Sequence, residues 1–168
     1  MSVNKYIPHV LVLPEDDANR NIVNGFIRHE SFTDRSVIQV LPSAGGWLKA
    51  RDKFSSDHIK KMKKNSKRHF VFLIDFDQDS KRFKEMASVV PKDLAGRVFV
   101  IGVWSKPEEL SQKELGSREC VGYRIADECF HDTNKENSLW QHSLLQHNDA
   151  ELKRMTKILK PILFPGTH

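Results

Sequence analysis

Four short apolar runs punctuate the first hundred residues: 9–13 (HVLVL), 36–41 (SVIQVL), 69–74 (HFVFLI) and 97–103 (RVFVIGV). Between them lie segments with helical spacing. Ile22, Val23, Phe26 and Ile27 recur on one helical face, with Asp16 and Asp17 placed to cap it. Residues 47–64 read as a helix or helix pair, and 80–89, with Phe83 and Met86, as another. Strands that alternate with helices imply βαβ units and a parallel sheet. The expected fold is α/β, with a mostly parallel four-stranded sheet flanked by helices.

The pattern changes after Trp104. Residues 106–168 show helical segments and no strand. One segment opens at Pro107, one covers 117–130, and one covers 149–159 with Leu152, Met155 and Leu159 on one face. Residues 131–137 are polar and read as a loop. The expected organisation is an α/β core over 1–105 and a helical C-terminal extension over 106–168, packed together as one domain. No apolar run approaches the roughly 20 residues of a membrane span, and the N-terminal run is too short for a signal peptide. Two cysteines, Cys120 and Cys129, make no disulfide framework, so the expected location is cytoplasmic.

Lys and Arg total 27 against 22 acids, which gives +5 and a sequence pI near 9.2. The balance favours a polyanionic partner. Lys60, Lys61, Lys63, Lys64, Lys67 and Arg68 crowd into nine residues just before the third strand. The run is either a solvated helix face or a phosphate contact beside the acids that follow.

Those acids are the chemically informative feature. Parallel sheets bind ligands at the carboxyl ends of their strands. The first strand ends in Glu15-Asp16-Asp17, and the second in Ser43 and Gly45-Gly46. The third ends in Asp75-Phe76-Asp77, with Asp79 next, and the fourth leads to Glu108-Glu109. Acids two apart at a strand end point the same way, so Asp75 and Asp77 could share one cation. Mg²⁺ takes hard oxygen ligands, usually one or two carboxylates with water or phosphate in its other positions. Asp79 has a second reading as the cap of the helix over 80–89.

These residues resemble the Toprim family, the metal-binding α/β module of topoisomerases, primases and OLD-type nucleases. Its signature is a Glu after the first strand, a glycine turn after the second and Asp-x-Asp after the third. Glu15, Gly45-Gly46, and Asp75 with Asp77 match it, over roughly residues 6 to 105. The chain departs from many relatives at Asp16, where they carry Gly, and at Asn19, where they carry an acid. The resemblance implies Mg²⁺ or Mn²⁺ on Asp75 and Asp77, with Glu15 as ligand or general acid/base. It also implies further acids after a later strand, a place that Glu108 or Glu109 could fill. The small OLD-like nuclease branch is the nearest likeness, and it implies nucleic acid as substrate, DNA ahead of RNA, with an ATPase subunit as a possible partner.

The chemistry suits the residues. Phosphodiester cleavage needs an activated water and neutralisation of the leaving oxygen, and a metal held by carboxylates supplies both. Lys49 or Lys53, just past the glycine turn, could contact phosphate. Two rival readings keep the same acids: a non-catalytic Toprim-like binding or assembly subunit, and a receiver-like phosphoacceptor domain that would need a Lys after a fifth strand. Cys120, Cys129 and His131 lack zinc-site spacing. His142 and His147 read as helix surface and cap, and Trp104 and Trp140 as core. No Walker loop or Gly-x-Ser-x-Gly elbow is present.

Overall fold

The computed structural model of the 168-residue chain describes residues 2–110, 115–131 and 138–166. Among the described residues four strands form one sheet in the order β2-β1-β3-β4. They are β1 (His9–Pro14), β2 (Ile38–Val40), β3 (Arg68–Leu73) and β4 (Val98–Ile101). Every pairing is parallel, with Val12 opposite Val40 and Val71, and Val71 opposite Phe99. The connections are α1 (Asp17–Ile27), a long helix described below, and α4 (Lys81–Ser88).

The central strands read as continuous apolar runs because both faces of the sheet are covered. Leu11, Leu13, Phe70, Phe72, Val98 and Val100 face one side. There they meet α4 and the long helix, whose Phe54 ring packs 4.9 and 5.1 Å from those of Phe70 and Phe72. The alternate residues Val10, Val12, Val71, Leu73 and Phe99 face the other side, against α1 and the C-terminal helices.

The second strand is shorter than its apolar run. Asp34 accepts a hydrogen bond from the Ser36 backbone N–H, and Arg35–Val37 coils into a 3₁₀ turn before Ile38 enters the sheet. The long helix is α2 (Trp47–Lys53), a π turn (Phe54–His58) and α3 (Ile59–Lys64) in unbroken succession. Its buried positions Ala50, Phe54, His58 and Met62 are spaced four apart. An α-helix advances about 40° beyond a full turn every four residues, so that stripe would wind off the sheet. The wider π turn takes up the excess and keeps the stripe facing inward.

After β4 the chain forms α5 (Pro107–Leu110), α6 (Arg118–His131), α7 (Asp149–Ile158) and α8 (Lys160–Leu163). The loop expected over 131–137 lies outside the described residues, apart from His131, which ends α6. Helix α6 packs on α1 where Gly25 and Gly122 face each other's helix. A Cβ at Gly25 would lie 2.0 Å from the Glu119 carbonyl oxygen, and one at Gly122 would lie 1.8 Å from that of Ile22. Helices α7 and α8 bring Leu159, Leu163 and Phe164 onto the second sheet face. The outer edge of β4 is closed by α7 and the turn before it. The Val100 N–H donates to Glu151 Oε2 at 2.9 Å, and Asn148 exchanges two hydrogen bonds with the Gly102 backbone at 3.1 and 2.9 Å. Side chains thus occupy the bonding groups that a fifth strand would use. No helix among the described residues is long and apolar enough to cross a membrane.

Candidate metal and phosphate site

Glu15 follows β1 directly, and its N–H donates to the Leu73 carbonyl at 2.8 Å, which ties the end of β1 to the end of β3. Two residues after β3, the Asp75 N–H donates to Glu15 Oε2 at 2.7 Å. The glycine turn closes on the same place, with the N–H groups of Gly45 and Gly46 donating to the Glu15 carbonyl at 2.8 and 3.1 Å. Both glycines have positive φ, 90° and 140°, which a side chain at either position would strain. Glu15, the Gly45-Gly46 turn and Asp75 therefore share one edge of the sheet, although 60 residues of chain separate the two acids.

The acids at this edge are short of positive charge. Burial pushes the Asp75 carboxyl up to about 7, and the charges of Asp16, Glu15 and Glu108 push the same way. Burial also raises Glu15, opposed by the Asp75 N–H that it accepts. No described cation pairs with the Asp75 carboxylate. Arg82 instead donates to the Asp75 backbone carbonyl at 2.7 Å and to Asp77 Oδ2 at 3.2 Å, with its guanidinium 5.1 Å from the centre of the Trp47 ring.

Asn19 is fully buried, and its amide nitrogen donates to both Asp75 Oδ1 at 2.9 Å and Asp16 Oδ1 at 3.0 Å. Its carbonyl oxygen has no hydrogen-bond partner. The amide holds two carboxylates together without adding a charge. Asp16 also accepts from the Asn19 backbone N–H at 2.9 Å as the cap of α1. Its φ of −143° is extended backbone open to any residue, so an Asp fits there without strain.

The remaining acidic candidates separate. Asp77 lies past the end of β3 with φ 50°, so strand alternation does not set its direction, and its carboxylate is paired with Arg82. Asp79 accepts from the Lys81 N–H at 2.9 Å, which makes it a cap of α4. Glu109 accepts from Ser105 Oγ at 2.6 Å. Glu108 is close enough for its charge to raise Asp75, and it lies 3.4 Å from Arg118.

The expectation that the basic run lies beside the acids is corrected. Lys67 and Arg68 stand at the amino end of β3, and the six-residue strand puts them roughly 20 Å from Asp75. Arg68 is 8% exposed and lies against His9, Lys67 Nζ donates to the Tyr6 carbonyl, and Lys63 lies 3.9 Å from Asp93. Adjacency in sequence across a buried strand means opposite ends in space. Lys49 does lie at the acid edge, its Nζ 3.7 Å from where a Gly45 side chain would begin. Lys53 is one helical turn farther along.

Motif reading passed over Arg82, marked Asn19 only as a missing acid, and placed His147 on a helix surface or cap. His147 packs against Phe76 at 4.8 Å and Trp104 at 5.2 Å, not on a helix surface. No spacing in the sequence assigns these three their contacts, because each comes from a different element. Neither Cys120 nor Cys129 forms a disulfide among the described residues, and His131 pairs with Asp127 at 3.0 Å. An apolar cavity of about 510 Å³ lies elsewhere, between the second sheet face, α1, α6 and α7, lined by residues such as Val12, Val23, Ile125 and Met155.

No group of three or more His, Cys, Asp or Glu side chains among the described residues is arranged to hold a metal ion. The donor set that is present, Glu15 and Asp75, still suits Mg²⁺, which needs no more than two carboxylates from protein. No family model and no curated protein matches the chain. In structure it is similar to the C-terminal region of the Burkholderia pseudomallei OLD protein, at 20% identity and a TM-score of 0.41, over 90% of this chain and 82% of that one.

Proposed function

We propose that the chain is a phosphodiesterase acting on nucleic acid with Mg²⁺ or Mn²⁺, held by Glu15 and Asp75. The observation that carries the reading is this pair: two carboxylates on adjacent strand ends, joined through the Asp75 N–H, with raised pKa values and no cation on Asp75. Such crowding costs free energy that a divalent cation would offset. When bound, the ion would neutralise charge at the scissile phosphate and lower the pKa of its water.

The chain's own residues do the rest. Glu15, whose carboxyl burial raises above its ordinary value, can hold or release a proton at Oε1 while Oε2 stays bonded to the Asp75 N–H. Lys49 sits over the glycine turn where a phosphate oxygen would lie, and Arg82 fixes the loop carrying Asp75 and Asp77. Glu108 completes the acidic edge, while Asp77, Asp79 and Glu109 belong to its supporting shell.

The test is cleavage of plasmid, linear duplex DNA and RNA by purified protein in Mg²⁺, Mn²⁺ or EDTA. Cleavage should require the metal, and Asp75→Asn or Glu15→Gln should reduce it by about 100-fold or more. Metal-independent cleavage, or full activity in both variants, would sink the reading. A non-catalytic binding subunit is the second reading. One observation favours it: the Asn19 amide already occupies an oxygen of Asp75 and one of Asp16. It predicts nucleic-acid binding without turnover, unaffected by Asp75→Asn. The receiver-like reading needs a fifth strand beside β4, and among the described residues Asn148 and Glu151 close that edge instead.

A further inference from the structure

The positive charge of the protein is concentrated on one helix. Residues 47–64 hold seven Lys or Arg against two Asp, a net of +5, which is the formal net charge of the whole chain. The remaining basic and acidic residues, twenty of each, cancel. The helix begins at the acid edge, where Gly46 bonds to the Glu15 carbonyl, and ends at Lys64 near the amino end of β3. With Ala50, Phe54, His58 and Met62 turned to the sheet, Lys49, Lys60, Lys61 and Lys64 are exposed and Lys53 half-buried. None of these five forms an ion pair among the described residues, whereas Asp52 on the same helix is matched by Arg51 at 3.7 Å. The π turn is what keeps the lysine-bearing side outward over the full length.

We infer that the outer side of this helix is a track for the phosphate backbone of a nucleic-acid duplex, leading away from the Glu15–Asp75 edge. The inference rests on the reading of that edge as a nucleic-acid site and adds the form and minimum length of the substrate. From Lys49 to Lys64 the helix rises about 22 Å, the length of roughly six to seven base pairs at 3.4 Å of duplex axis each. A duplex must therefore reach about seven base pairs past the acid edge to engage every lysine. Single strands are held by aromatic side chains on which bases stack. This helix exposes none: Trp47 lies under Arg82, and Phe54 is buried. Lysines alone give phosphate contacts that are indifferent to sequence.

Binding is measured in EDTA by fluorescence anisotropy, with hairpin duplexes of about 5 and about 16 base pairs and a matched single strand, over a salt series. The long duplex should bind at least about tenfold tighter than the short one and tighter than the single strand. Lys60→Gln with Lys64→Gln should reduce the salt slope for the long duplex by about 2. Lys153→Gln with Lys157→Gln removes the same charge from exposed positions on α7 and should not alter the slope. Circular dichroism confirms that both variants remain folded. Equal affinity for both lengths, tighter binding of the single strand, or equal slopes in the two variants would each overturn the track. Because no metal is present, these results are separate from cleavage: tight duplex binding by a protein that never cleaves would leave the track standing and remove the nuclease.

Discussion

Asp75 is the residue on which the proposed chemistry turns, and its environment makes a sign-definite prediction. Its carboxyl rises from an ordinary 3.8 to about 7 in the folded, metal-free protein, first through burial and then through neighbouring acids. The folded state therefore holds the proton more firmly than the unfolded chain. This group's contribution to stability is full below pH 4, falls as pH rises, and is lost above pH 7. Asp75→Asn keeps an oxygen to accept from Asn19 and removes the titration. In EDTA the urea midpoint of the variant should match the parent near pH 4 and exceed it at pH 7.5. A variant less stable than the parent at pH 7.5 would mean that the carboxylate is structural. Millimolar Mn²⁺ should raise the parent's melting temperature and leave that of the variant unchanged, since only a ligand of the folded state stabilises it. Asp79→Ala should cost about 1 kcal/mol of stability by weakening the start of α4, with little effect on the metal response.

Among the elements, the β4 edge and the α1–α6 contact carry constraints that no single residue reveals. Glu151 is buried, accepts from the Val100 N–H and is paired with Arg154. Glu151→Ala would leave that N–H buried without a partner, at a cost of about 1–3 kcal/mol, read as a lower denaturant midpoint with an unchanged m-value. The α1–α6 contact depends on two glycines because backbone meets backbone there. Ala at Gly122 would drive a methyl group into the Ile22 carbonyl, so Gly122→Ala should lose about 3 kcal/mol or more. At Gly96, where a side chain would meet nothing within 4 Å, Ala should be tolerated.

At the scale of the whole molecule the C-terminal helices belong to the core. Leu159, Leu163 and Phe164 cover Val71, Leu73 and Phe99, so residues 1–105 alone would expose one face of the sheet to water. The 1–105 fragment should fail to give a cooperative thermal transition, and the full chain should unfold in one step by both fluorescence and circular dichroism. A stable, cooperative fragment would show that the extension is dispensable. Acid adds a second global term. Burial holds His58 down at about 4, aided by the charge of Lys61, and also depresses His9 and His69. All three rings take up a proton less readily in the folded protein than unfolded, so they withdraw stability as pH falls below 6.5, and for His58 the loss continues to about pH 4. His58→Leu should reduce that acid-side loss, measured as the difference in urea midpoint between pH 7 and pH 4.5.

Local chemistry determined much of this protein before any tertiary contact formed. Apolar runs that lie buried on both faces are legible one strand at a time, and so are the helix between Asp16 and Ile27, the capping role of Asp79 and the strain-tolerant Gly45-Gly46 turn. The order of motifs along the chain was enough to expect Glu15 and Asp75 on one edge, because successive parallel strands end on the same side. What only the tertiary structure decided involves groups far apart in sequence. Asn19 bridges to Asp75, Arg82 clamps a loop through a backbone oxygen, and Asn148 and Glu151 stand in for a fifth strand. The same holds for the basic run: Lys67 and Arg68 precede the acids closely in sequence, yet a buried extended strand carries them to the opposite end of the sheet. Sequence distance reports on contacts made within one element; direction across a folded sheet is set by where the strand begins and ends.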